Sequence, residues 1–161
     1  MKISFFACED FAEGLSHVMP LLGIEIAEGG FSLRAEKADF LGVSLKGNAA
    51  VIYYKEKNHF FRALGIFVEK ARLGGDFEVR EQPSFDTVGM MFDVSRFGAL
   101  KPSAVKQQLD YLALMGYNLY MLYTEDSLSF PAVRTSAICA RVIAKESFVS
   151  WMIMPMRTAL R

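Results

Sequence analysis

Little in this sequence supports metal or disulfide chemistry. Its 161 residues include two cysteines, Cys8 and Cys139, and two histidines, His17 and His59, with no close pair among them. A structural zinc site takes four ligands that usually arrive in close pairs, so no metal site is expected. The cysteines read instead as buried free thiols of a reducing compartment. Charge of one sign is also missing, because 18 Lys and Arg balance 18 Asp and Glu. Binding along a phosphate backbone needs a basic surplus, and so does a polybasic membrane patch. Long apolar runs are absent too. The longest near the C-terminus, Phe148 to Pro155, falls far short of the ~20 residues of a membrane span. At the other end Glu9 and Asp10 come too early for a signal peptide. The expectation is a cytoplasmic protein without cofactor, nucleic-acid partner or membrane partner; its oligomeric state stays open. The length lies below the about 250 residues typical of a complete eight-fold α/β barrel.

What is present is a globular composition, 52% hydrophobic and 22% charged. Lys2 to Ala7 reads as a strand, and a helix follows from about Glu9. Phe11, Leu15, Val18 and Leu22 form one apolar stripe at helical spacing, and Gly23 ends it. His17 falls within this helix, at its surface or boundary. Phe31 to Ala35, Phe40 to Leu45 and Ala49 to Lys55 read as strands, the last two joined as a hairpin through Gly47-Asn48. Asn58 is placed to cap a second helix, with Phe61, Leu64, Phe67, Val68 and Ala71 as its buried stripe and Gly74-Gly75 as its stop. A strand from Phe77 to Glu81 completes residues 1–82. This part reads as a non-catalytic small α+β domain, a mainly antiparallel sheet with two helices on one face. Residues 83–87 read as a linker.

The pattern then changes. Val88 to Val94 is a near-continuous apolar strand, of the kind buried on both faces in a parallel sheet. Pro102 opens a helix through about Gly116, with Val105, Leu109 and Leu112 on one face. Leu119 to Tyr123 is a second apolar strand. Strand, helix and strand at this spacing make one βαβ unit. Its polar residues gather at the carboxyl ends of the strands: Asp93, Ser95 and Arg96 after the first, Thr124, Glu125 and Asp126 after the second. In parallel α/β folds that edge collects ligand chemistry; a salt-bridge cluster between loops is the competing reading.

The segment Gly89-Met-Met-Phe-Asp93-Val-Ser95-Arg96, with Met115-Gly116-Tyr117-Asn118 and Leu122-Tyr123-Thr124-Glu125-Asp126 downstream, resembles the start of the catalytic barrel in glycoside hydrolase family 20, the β-N-acetylhexosaminidases. The resemblance covers about residues 1–126, because in that family a small α/β domain precedes the barrel. It implies that residues 88–126 are the first βαβ unit of an incomplete (β/α)8 barrel. The activity it implies is removal of terminal non-reducing N-acetylglucosamine or N-acetylgalactosamine by substrate-assisted retention. There the substrate's acetamido oxygen attacks the anomeric carbon, an Asp orients the ring that forms, and the neighbouring Glu is the general acid. That Asp-Glu pair lies on the fourth barrel strand, and no Asp-Glu dipeptide occurs in this sequence. No catalytic residue is therefore carried over, and the chain alone is expected to be inactive. Many relatives also place an Arg before the first-strand Gly to grip sugar hydroxyls; here the position is Val88. Asp93, Arg96, Glu125 and Asp126 are the candidates for shaping a pocket for an amino-sugar glycoside.

Residues 127–161 depart from this pattern. They contain none of the 12 glycines and hold five basic residues against one acid. Residues 1–126 hold 13 basic and 17 acidic side chains, so the zero net charge is the sum of two unlike pieces. The tail reads as translated from a shifted frame beginning near Asp126–Ser127. Arg134 to Ala140 can be encoded so that the neighbouring frame spells Tyr-Phe-Gly-Tyr-Met-Arg, similar to a stretch that often follows the second strand in the bacterial, intracellular-type branch of the family, which the match resembles most. Residues 1–82 are expected to fold alone, and 88–126 to be marginal without further cover. Two other readings compete: a non-catalytic α/β module binding sugar or a protein partner, and a complete small α/β protein capped by its tail. The encoding DNA separates them. The shifted frame is expected to stay open past the codon for Ser127 and to continue a barrel pattern; early stops in that frame contradict it.

Overall fold

The computed structural model describes residues 1–95 and 100–123. In chain order the elements are β1 (Lys2–Phe6), α1 (Ala12–Leu22), β2 (Glu25–Ile26), β3 (Phe31–Lys37), β4 (Leu41–Lys46) and β5 (Ala49–Tyr54). Then follow α2 (Lys57–Leu73), β6 (Phe77–Glu81), β7 (Gly89–Asp93), α3 (Pro102–Leu114) and β8 (Leu119–Tyr123). The expectations for residues 127–161 lie outside the described residues. The architecture is α/β, with a six-stranded mixed sheet, a two-stranded parallel sheet and three helices among the described residues.

The first sheet has the order β2-β1-β3-β5-β4-β6. It is not mainly antiparallel, as its sequence pattern suggests. β1 pairs parallel with β2 and with β3, and β3 pairs parallel with β5; only β4–β5 and β4–β6 are antiparallel. The reason lies in a three-residue connection. Residues 38–40 carry the chain from β3 over the end of β5, where the Ala38 N–H donates to the Tyr54 carbonyl at 2.8 Å. The hairpin through Gly47 then returns β5 into the space between β3 and β4. Strands consecutive in sequence are often neighbours in space, and β3 and β4 are the exception that a one-dimensional pattern does not reveal.

Alternation along the strands buries Ile3, Leu33, Val43 and Ile52 in one core, shared with Phe11, which precedes α1, and with Leu15 and Val18 of α1. Gly23 closes α1 in the left-handed conformation at φ 63°. Aromatic rings fill the centre: Phe11 stacks on Phe60 with centroids 3.9 Å apart, and Phe61 and Tyr54 meet Phe11 edge-on. A Cβ at Gly14 would collide with the Phe61 ring, so glycine at that position lets α1 and α2 approach.

α2 starts two residues earlier than Asn58 suggests. Glu56, in extended conformation, is the N-cap. Its carboxylate accepts the His59 N–H, and Nδ1 of His59 accepts the Glu56 N–H at 3.4 Å, a reciprocal capping box. Asn58 is therefore inside the helix. It is buried, and its amide donates to the Gly116 carbonyl at 2.9 Å. Gly116 sits just beyond α3 at φ 83°, and a Cβ there would lie 3.3 Å from the Arg62 side chain. Ala113 and Leu114 of α3 pack against the first core, so α3 lies against α2.

β7 and β8 are parallel, with Gly89 opposite Leu119 and Asp93 opposite Tyr123. α3 covers one face of this pair. Val94 and Val105 are buried there with Phe92, Leu109, Tyr120 and Leu122 against them. The other face is open among the described residues: Met91 is 62% exposed, Met121 44% and Tyr123 41%. The strands thus carry the composition of a doubly covered sheet, while among the described residues only one face is covered by a helix.

Replacing Asn58 with Ala leaves the Gly116 carbonyl without its donor at a buried contact. The loss is expected to be about 1–3 kcal/mol in urea unfolding of the full chain; an unchanged midpoint contradicts the role of this bond.

Candidate functional site

The parallel register sets the carboxyl ends of β7 and β8 on one edge. Asp93 closes β7 there, on the same face as Met91. Its Oδ1 accepts the Ser95 N–H at 2.8 Å and the Ser95 hydroxyl at 2.5 Å. This side-chain turn fixes how the chain leaves β7. The structure thus brings Asp93 and Ser95 together. The other candidates, Arg96, Glu125 and Asp126, lie outside the described residues.

A second polar site lies at the opposite edge and was not singled out by motif. A cleft of about 790 Å³ opens on the amino side of β7 and β8, between the first sheet and α3. The first turn of α2 forms its floor, Asp39–Leu41 and Glu81 form one wall, and Met115, Gly116 and Asn118 form the other. The walls are fastened. Arg62 donates to both carboxylate oxygens of Glu81 at 3.2 and 3.0 Å. Asn118 accepts the Val88 N–H at 2.9 Å through Oδ1 and donates to the Asp86 carbonyl at 2.7 Å. The segment at 83–87, legible in sequence only as a linker, is tied to the start of β8 through Asp86 and the adjoining Val88 by Asn118. No single motif marks the cleft, because β3–β4, α2, β6 and the α3 end converge only through topology. The nearest sequence signal was the Met-Gly-Tyr-Asn run, which contains three of its residues.

His59 faces this cleft. Burial pushes its imidazole below the usual histidine range; the Glu56 carboxylate opposes this and Lys55 adds to it. The ring is thus held neutral, as its role as acceptor for the Glu56 N–H requires. Cys8 is buried and free, and desolvation pushes its thiol up to about 11, with Glu9 adding to the rise and backbone hydrogen bonds opposing it. A thiol so placed is a packing group, not a nucleophile. Cys139 lies outside the described residues. His17 is half-buried on α1, as its position in the helix suggests; burial raises the Asp110 carboxyl of α3, and the neighbouring His17 opposes that rise. Among the described residues no three His, Cys, Asp or Glu side chains converge to hold a metal, and no helix is long and apolar enough to cross a membrane.

No family model matches this sequence, and no curated protein matches it. Solved structures do match by fold. The chain is similar to a GH20 exo-β-N-acetylglucosaminidase from Vibrio harveyi, with TM-score 0.67 and 11% identity over 99% of this chain and 31% of that one. It is similar to a GH20 β-N-acetylhexosaminidase from Streptomyces coelicolor A3(2), with TM-score 0.55 and 17% identity over 82% of this chain and 33% of that one. A GH138 enzyme targeting pectin rhamnogalacturonan II is similar with TM-score 0.60 and 12% identity over 99% of this chain and 23% of that one. At these identities the likeness is one of fold. The chain spans 33% or less of the length of these three structures.

The capping histidine gives a pH prediction. Burial lowers the folded pKa of His59 below its unfolded value near 6.5, so on acidification the unfolded chain takes the proton first. Its contribution to stability is present above that value and is lost as pH falls below it. The full chain is expected to lose stability as pH falls through about 6.5, and His59→Gln, which keeps a side-chain acceptor, to lose less. Equal acid sensitivity in thermal unfolding of both proteins contradicts this.

Proposed function

We propose that this chain is the front part of a glycoside hydrolase resembling family 20. Residues 1–82 are its non-catalytic domain, 83–87 the linker, 88–126 the first strand, helix and strand of the catalytic barrel, and 127–161 a stretch read in a shifted frame. The substrate class is a glycoside ending in N-acetylglucosamine or N-acetylgalactosamine. The observation that carries this reading is the β7–β8 pair, with α3 on one face and Met91, Met121 and Tyr123 bare on the other. In a (β/α)8 barrel helices cover the outside of the strands and side chains of the inner face fill the interior. A bare apolar face opposite the helix is what a barrel piece presents before closure. The fold likeness to the Vibrio harveyi and Streptomyces coelicolor enzymes supports the same order of units.

On this reading Asp93, Arg96, Glu125 and Asp126 shape the sugar pocket at the carboxyl edge, where barrel enzymes hold their substrates. The Asp93–Ser95 turn holds the first loop in position for that role. Hydrolysis requires an acid and an orienting carboxylate that this chain does not supply.

A chromogenic N-acetyl-β-glucosaminide tests the proposal. The 161-residue chain is expected to give no turnover above buffer. The same chain continued in the shifted frame after Asp126 is expected to turn over, and Asp93→Ala in it to lower kcat/KM about tenfold or more. Turnover by the 161-residue chain, or none from the continued one, contradicts the reading.

A further inference from the structure

We propose that the cleft on the amino side of β7 and β8 is a second, non-catalytic carbohydrate site that takes the end of a neutral saccharide. It is separate from the carboxyl edge, since the five-residue strands set the two sites about 13 Å apart.

The charge in the cleft narrows the ligand. Lys55, Lys57 and Arg62 are interleaved with Asp39, Glu56, Glu81 and Asp86. Neither sign has a surplus able to hold a polyanion or a polycation, and Arg62 is already committed to Glu81. A neutral ligand rich in hydroxyls suits mixed carboxylate, amide and ammonium groups, because each hydroxyl both donates and accepts. The side chains of Asp39, Gln82 and Asp86 line the cleft and make no hydrogen bond or ion pair among the described residues. His59 is held neutral with Nδ1 occupied by the Glu56 N–H, which leaves its Nε2–H as a donor on the floor.

The apolar component is an aromatic rim. Phe85 is 74% exposed, Met115 57% and Val88 37%, and all three line the cleft. Phe85 belongs to neither core cluster, so folding of the described residues gives no reason for an exposed aromatic there. A phenyl ring beside carboxylates and amides matches a pyranose, which has an apolar C–H face and a rim of hydroxyls. The walls are prefixed by the Arg62–Glu81 pair, the Asn58–Gly116 bond and the two bonds of Asn118. Binding would order little that is not already ordered.

The test uses the full chain, isotope-labelled for amide NMR. It is titrated with neutral N,N′-diacetylchitobiose and, separately, with digalacturonic acid. Chitobiose is expected to shift the amides of His59, Gly116 and Asn118, and digalacturonate to leave them in place. Phe85→Ala, a change at an exposed position, is expected to weaken the chitobiose response of these three amides about fivefold or more, whereas Asp93→Ala, which removes a group of the proposed sugar pocket at the other edge, leaves the shifts of these three amides in place. That last variant separates this site from the proposed hydrolase pocket. Chitobiose shifts that are absent, that survive Phe85→Ala intact or that vanish in Asp93→Ala overturn the proposal, as does digalacturonate binding at equal strength.

Discussion

Helix α2 has to bury apolar surface on two sides at once. Phe60, Phe61, Ala63, Leu64, Ile66, Phe67 and Val68 are all buried in one helix of 17 residues. A sheet can cover only one stripe of a helix. The rest is covered by α1, through the Phe61 ring over Gly14, and by α3, through Ala113 and Leu114. The βαβ unit is consequently anchored to α2 through α3, while its own sheet has two strands among the described residues. Asn58 makes this arrangement specific. A buried amide inside the helix has to find a partner, and it finds the carbonyl of Gly116, whose positive φ closes α3. Packing holds the units together, and one polar bond sets their register.

Much of this fold was legible in the sequence because local rules and tertiary packing agree. The 3.6-residue spacing of Phe11, Leu15 and Val18, the glycines after α1 and α2 and Pro102 at the start of α3 each act through neighbours close in the chain. Legibility failed where the deciding contact is distant. The parallel β3–β5 pairing depends on β5 entering between two strands already written. Asn58 has the composition of a cap, but Glu56 and His59 satisfy the helix end and a partner 58 residues away claims the amide. Glutamate as N-cap with histidine three residues on is an uncommon spelling of a capping box.

The candidate sites divide in the same way. The carboxyl edge was visible because strand pattern and polar residues coincide in one segment, and Asp93 stands there with Ser95. The amino-side cleft was invisible because its residues come from stretches spread between Asp39 and Asn118. Fold likeness extends both to hexosaminidases and to a GH138 enzyme targeting rhamnogalacturonan II. The architecture is therefore shared by enzymes of different sugar chemistries, and the fold by itself assigns no substrate.

Amide hydrogen exchange on the full chain tests the central claim most directly, namely that β7, α3 and β8 are held on the first unit mainly through α3. The account predicts the slowest exchange in α2, β4 and β5, opening only with global unfolding. It predicts much faster exchange in β7 and β8 through a lower-energy opening, with α3 between the two. Equal protection of β7, β8 and the central strands of the first sheet would contradict it.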